Sequence, residues 1–233
     1  MISDFNMSKP YGLIFDIDGV IADTEAVNAR ATIKVFEDLF GIRGVKREDF
    51  EAGLGRGAED YVKAGARVHG LKLAEDQVQK VTQLRQEYFL KILREEPLQP
   101  FPGVLKLMNE AMESPNFHVA IATSGTLEKS RAVLEATAVP YPKMVYVNGD
   151  EVKNKKPHPD LFLVAVRRMR IKPSRCVVIE DAPNGVQATK AAGAKCIAVT
   201  NSTSADKLQE ADLVCDSLEQ ITLNVIQELV DSN

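Results

Sequence analysis

Residues Tyr11 to Glu25 read YGLIFDIDGVIADTE. The apolar run Tyr11 to Phe15 has the length of a buried strand, and it leads straight into three aspartates, Asp16, Asp18 and Asp23. Carboxylates repel one another, and an apolar setting disfavours each of them in its charged form. Gathering them at the end of a core strand therefore calls for a counter-charge. Asp16 and Asp18 are two residues apart, the spacing that puts side chains on one face of an extended segment.

Downstream of Pro100, apolar runs alternate with helical patterns. VAIA (119–122) precedes a helical stretch over 127–136, KMVYV (143–147) one over 160–170, and CVVI (176–179) one over 184–192. CIAV (196–199) precedes a pattern over 205–210, and LVC (213–215) leads to a final helix near 218–230. Unbroken apolar strands alternating with helices predict an α/β fold, a doubly wound parallel sheet covered on both faces. In such sheets ligands bind outside the carboxyl ends of the strands. Asp16, Asp18, Thr123, Ser124, Glu180 and Asp181 fall at such ends, and Lys155 and Lys156 follow a longer loop.

Between the first strand and Pro97 only helical periodicity is visible. Val27, Ala31, Val35 and Leu39 make one apolar stripe, closed by Gly41 and Gly44. Tyr61, Val62, Ala64 and Val68 make a second, closed by Gly70, and Val78, Val81, Leu84, Tyr88 and Ile92 a third. The expected organisation is an α/β core of residues 10–23 plus 97–233, with an all-helical insert at 24–96.

The bulk numbers exclude several classes. A net charge of −4 offers no clustered positive charge for nucleic acid or an anionic membrane. No segment approaches the roughly 20 apolar residues of a membrane span, and the first ten residues contain no signal-like apolar stretch. Cys176, Cys196 and Cys215 are odd in number and sit in apolar runs, so they read as small buried hydrophobes rather than a disulfide framework. The expectation is a soluble cytoplasmic protein in a reducing compartment, a monomer or small homo-oligomer.

The strand-end residues suggest phosphoryl chemistry. One of two neighbouring aspartates can attack phosphorus while the other passes a proton to the leaving group and later takes one from water. Asp181 adds a third carboxylate for a hard cation, for which Mg²⁺ is suited because it takes a few oxygen ligands plus water and phosphate oxygens. Thr123 and Ser124 offer hydroxyls and backbone N–H groups to a phosphoryl group, Lys156 a positive charge, and Gly125 room for close approach. Taken singly, Asp18-Gly19 reads as a turn, Thr123 to Gly125 and Asp181 as helix caps, and Lys156 as a solvated lysine. Their occurrence in order, each behind a separate strand, points to a common site.

These motifs resemble those of the haloacid dehalogenase superfamily, and more narrowly the subgroup with a helical cap after the first strand. That subgroup includes phosphoglycolate phosphatases, sugar-phosphate phosphatases and β-phosphoglucomutases. DIDGVIAD (16–23), AIAT ending at Thr123, KPHPD from Lys156 and EDAPNGVQA from Glu180 match the four motifs in turn. The resemblance implies that Asp16 is the nucleophile and Asp18 the general acid/base. It implies Mg²⁺ on the Asp16 and Asp181 carboxylates and the Asp18 carbonyl, with Glu180 close by, and a phosphoryl group held by Thr123, Ser124 and Lys156. Haloacid dehalogenases proper lack the second aspartate, so Asp18 disfavours dehalogenation.

In this family the cap closes over the site and selects the substrate. Arg56, in the loop GLGRG (53–57), is the first candidate for contact with a far anionic group, and Lys91 a weaker one. β-Phosphoglucomutases carry a cap histidine at the position of Asn28, which favours water as the acceptor. The expected activity is Mg²⁺-dependent hydrolysis of a small phosphorylated metabolite, a sugar or polyol phosphate, through an aspartyl phosphate. The alternatives are a phosphosugar mutase and, more remotely, a non-catalytic phospho-accepting module.

Overall fold

The structure is a computed structural model describing residues 10–53 and 57–232. Its chain divides into two compact units, Met1–Asp23 with Gln99–Asn233, and Thr24–Leu98. The first is built on six parallel strands: β1 (Tyr11–Phe15), β2 (Phe117–Ala122), β3 (Val145–Val147), β4 (Cys176–Glu180), β5 (Lys195–Val199) and β6 (Leu213–Cys215). Their order is β3-β2-β1-β4-β5-β6. Ile14 stands opposite Ala120 on one side and Val178 on the other, so β1 is central. The direction in which successive strands are added reverses at β1, which places the crevice of a doubly wound sheet at its carboxyl end.

Burial on both faces explains the unbroken apolar runs. Leu13, Ile14, Phe15, Val177, Val178 and Ile179 have no exposed surface. Helices α4 (Val104–Glu113), α5 (Leu127–Ala136), α6 (Asp160–Met169), α7 (Pro183–Ala192) and α8 (Leu223–Asp231) accompany the strands. Leu161, Phe162, Ala165 and Met169 of α6 pack with Ile14, Val178 and Ala188 in one apolar cluster. The three cysteines are buried and unpaired.

Several boundaries differ from the sequence expectations. The stretch 205–210 makes only a single 3-10 turn, Ala205–Lys207, because Leu208 alone of its apolar residues is buried. The final helix begins at Leu223, where the Thr222 hydroxyl accepts from Val225 N and starts a new N-terminus after a separate turn at Leu218–Gln220. Tyr141–Lys143 forms a 3-10 turn, so β3 starts at Val145. Helix α4 had no counterpart in the sequence reading.

The regular elements among the second unit's described residues are all helical: α1 (Thr24–Phe40), a 3-10 segment Arg47–Gly53, α2 (Ala58–Val68) and α3 (Glu75–Glu95). Val35, Phe36, Phe50, Tyr61, Val62, Val78 and Val81 form its core, with Phe50 stacked on Tyr61 at 4.7 Å. Leu39 and Val68, both expected inside, are exposed; they lie in the last turns of α1 and α2, where the stripe has run past the core. No described helix is long and apolar enough to cross a membrane.

Candidate active site

Asp16 directly continues β1, and its N–H donates to Ile179 O at 3.1 Å, prolonging the pairing with β4. The chain then turns sharply. Ile21 N donates to Ile17 O at 2.9 Å, Gly19 N to Ala22 O at 3.1 Å, and Val20 and Ile21 are fully buried. Gly19 has φ of 75°, and a Cβ there would lie 1.8 Å from Asp181 Oδ2. Only glycine combines that conformation with so close an approach to a carboxylate.

Thr123 and Glu180 are placed by the same sheet. Thr123 follows β2, and its N–H donates to Val147 O at 3.0 Å. Its Oγ1 accepts from Gly125 N at 3.0 Å, which curls the backbone ahead of α5. Glu180 ends β4 and Asp181 follows; Glu180 Oε2 accepts from Asp181 N at 3.1 Å. A Cβ on Gly185 in α7 would lie 2.0 Å from Glu180 Cδ, so the absence of a side chain there makes room for the carboxylate.

Carboxylate oxygens of Asp16, Glu180 and Asp181 all lie within 4.8 Å of one another, and all three residues are buried. Lys156 reaches into this group from the loop after β3. Its Nζ donates to Asp16 Oδ1 at 2.5 Å and forms an ion pair with Glu180 Oε1, with only 7% of the side chain exposed. Asp18, two residues beyond Asp16, instead pairs with Lys129 Nζ at 3.2 Å. The Ser124 hydroxyl is buried and makes no hydrogen bond among the described residues.

Burial pushes the Asp16 carboxyl well above its ordinary range; Lys156 opposes the shift, and Glu180, Asp181 and Asp18 add to it. Burial and the neighbouring Glu180 push Asp181 up to about 7, against the hydrogen bond to Ser202 and the charge of Lys156. For Lys156 burial disfavours the charge, yet Asp16 and Glu180 outweigh it and hold the ammonium above its usual range. If all three ionised together, the carboxylates against one ammonium would leave a surplus of two negative charges. An all-oxygen donor set with that surplus fits a hard divalent cation, which would return Asp16 and Asp181 to their ionised forms.

The structure thus brings Asp16, Glu180, Asp181 and Lys156 into contact, with Asp18 and Thr123 on adjoining turns. Of the residues expected to select substrate, Asn28 is half-buried on α1 and bonded to Glu25. Lys91 is exposed beside Glu95 at 3.9 Å. Arg56 lies outside the described residues. Sequence reasoning missed Lys129, which it saw only as part of a helical stretch. It also missed Ser202 and Asn201, whose Nδ2 donates to Gly19 O at 2.8 Å. No spacing signal marked them, since both follow β5 in a polar loop.

With this geometry, the sequence profile of the haloacid dehalogenase-like hydrolases matches residues 12–193. The chain is a haloacid dehalogenase-like hydrolase. Among other members of known sequence, hexitol phosphatase A of Escherichia coli (strain K12) is 31% identical over 212 residues, covering 91% of this hydrolase and 93% of that protein. The chloroplastic protein SUPPRESSOR OF QUENCHING 1 of Arabidopsis thaliana is 32% identical over 97% of this chain, which spans only 21% of that larger protein. The crystal structure of CbbY from Rhodobacter sphaeroides in complex with phosphate superposes on this hydrolase with a TM-score of 0.79 at 28% identity, covering 94% of this chain and 99% of that one.

Proposed function

We propose that this hydrolase is a Mg²⁺-dependent phosphatase of small phosphorylated sugars or polyols, acting through an aspartyl phosphate on Asp16. The observation that carries the reading is the convergence of the Asp16, Glu180 and Asp181 carboxylates within 4.8 Å, with the buried Lys156 ammonium among them. Its support for this substrate class is the similarity to a hexitol phosphatase, together with a structural relative that holds phosphate.

In the first step an Asp16 Oδ attacks phosphorus, the bond from phosphorus to the ester oxygen breaks, and Asp18 gives its proton to the departing oxygen. In the second, water attacks phosphorus, its proton goes to Asp18, the bond to Asp16 breaks and inorganic phosphate leaves. Lys156, the Thr123 and Ser124 hydroxyls and the N–H groups of that turn hold the phosphoryl oxygens and offset their charge. Mg²⁺, held by Asp16, Asp181 and the Asp18 carbonyl with Glu180 beside them, would supply the remaining positive charge. Position 28 holds Asn where β-phosphoglucomutases carry a cap histidine, so water is the acceptor we assign.

A panel of phosphorylated hexitols and sugars, assayed for phosphate release with Mg²⁺ and with EDTA, tests the reading. Release is expected with the cation only and is abolished by Asp16→Asn. Release that survives either change overturns it.

A further inference from the structure

The aspartate read as general acid/base has a partner that none of the four motifs supplies. Lys129 Nζ lies 3.2 Å from Asp18 Oδ1, and the two positions are 111 residues apart in sequence. The lysine side chain is 21% exposed, so this is not a freely solvated surface pair. Lys129 stands in the first turn of α5, and that turn is tied down from several sides. Thr126 Oγ1 accepts from Lys129 N at 3.3 Å, and Ser130 Oγ donates to Thr126 O at 2.5 Å. Asp150 Oδ2 accepts from Leu127 N at 2.8 Å, and Gly149 N donates to Gly125 O at 2.7 Å. Ser130 Oγ also bonds the Tyr146 hydroxyl on β3. Exposed ion pairs contribute little largely because two long side chains must be immobilised. A lysine rooted in a turn fixed at so many points loses less on forming its bond.

We infer that Lys129 is a positioning residue for Asp18: its bond to Oδ1 sets the direction in which the carboxyl group faces the departing oxygen. The inference rests on the reading of Asp18 as the proton donor and acceptor. In the first step, transfer to Asp16, an orientation of this kind matters only when a proton must be delivered to the departing oxygen; the second step uses Asp18 equally for every substrate. An alkoxide leaves poorly unless it is protonated as the bond breaks, whereas p-nitrophenolate is stable enough to leave unaided. Lys129 therefore discriminates between leaving groups, not between phosphoryl groups.

The test compares kcat/KM, which reports the step in which the leaving group departs, on β-glycerophosphate and on p-nitrophenyl phosphate for the unaltered protein, Lys129→Met and Lys129→Arg, each with saturating Mg²⁺. A positioning residue contributes part of the roughly 10²–10⁴-fold that a general acid supplies, so Lys129→Met should lower kcat/KM on β-glycerophosphate by about tenfold or more. It should change kcat/KM on p-nitrophenyl phosphate less than about twofold, and Lys129→Arg should restore most of the loss. The ratio of the two rates is independent of how much of a variant folds. Equal losses on both substrates, as for a lysine that grips the phosphoryl group or merely supports the fold, overturn the inference, and so does no loss on either. Activity that survives Asp16→Asn would instead remove the mechanism on which the inference is built.

Discussion

Lys156 Nζ lies 2.5 Å from Asp16 Oδ1 and joins two positions 140 residues apart. The ammonium also faces Glu180 and stands 5.3 Å from the centre of the Phe162 ring, so one lysine is shared between two buried acids beside an aromatic face. A cation so enclosed is a structural necessity as well as a candidate ligand for phosphate, and that makes its removal informative.

Lys156→Met takes one partner out of a buried ionic group and leaves two carboxylates uncompensated. The expected cost is about 3–5 kcal/mol in metal-free urea denaturation, with phosphatase activity lost. Adding Mg²⁺ should recover part of that stability, because the cation replaces the missing charge. A loss below about 1 kcal/mol would show that the acids find other partners.

Gly185→Ala tests the room made for Glu180. The added methyl would lie 2.0 Å from the carboxylate carbon, so the buried Glu180 side chain must shift to admit it. Overpacking of this kind costs about 1–3 kcal/mol. The displaced carboxylate should also raise the Mg²⁺ concentration needed for half-maximal activity. Unchanged stability together with unchanged Mg²⁺ dependence would mean that Glu180 is free to move.

The raised carboxyls give a pH dependence with a definite sign. Asp181 titrates at about 7 in the folded chain against an ordinary value of 3.8, so between those pH values the metal-free folded state holds more protons than the unfolded chain. Metal-free stability therefore falls as pH rises through that window. A divalent cation must displace the same protons, so Mg²⁺ affinity should rise from pH 5 to pH 8, by up to about tenfold per unit for each proton displaced. Calorimetric titration in buffers of different ionisation enthalpy would register the released protons. Affinity that is flat across this range would contradict the assignment of Asp16 and Asp181 to the cation.

Much of this arrangement is legible in the sequence because the sheet is buried on both faces. Strands such as CVVI are then continuous apolar runs, and the polar residue that ends each one stands out, as Thr123 does after β2 and Glu180 at the end of β4. Lys156 is harder to read. Its loop carries no periodicity, and only the resemblance of KPHPD to a motif separates it from Lys153 and Lys155. Lys129 was illegible, because helical spacing marks it as one more polar-face lysine and its meeting with Asp18 is decided by how α5 is tied to β3. Leu39 and Val68 show the converse: periodicity continues to the end of a helix while the core beneath it does not.

Covalent transfer to Asp16 is the claim from which the rest follows, and borohydride trapping tests it most directly. An acyl phosphate formed during turnover is reduced by borohydride to the alcohol, so peptide mass spectrometry of the quenched enzyme should find homoserine at position 16 and aspartate at position 18. Unmodified aspartate at position 16 under turnover conditions, or homoserine at position 18, would contradict the account.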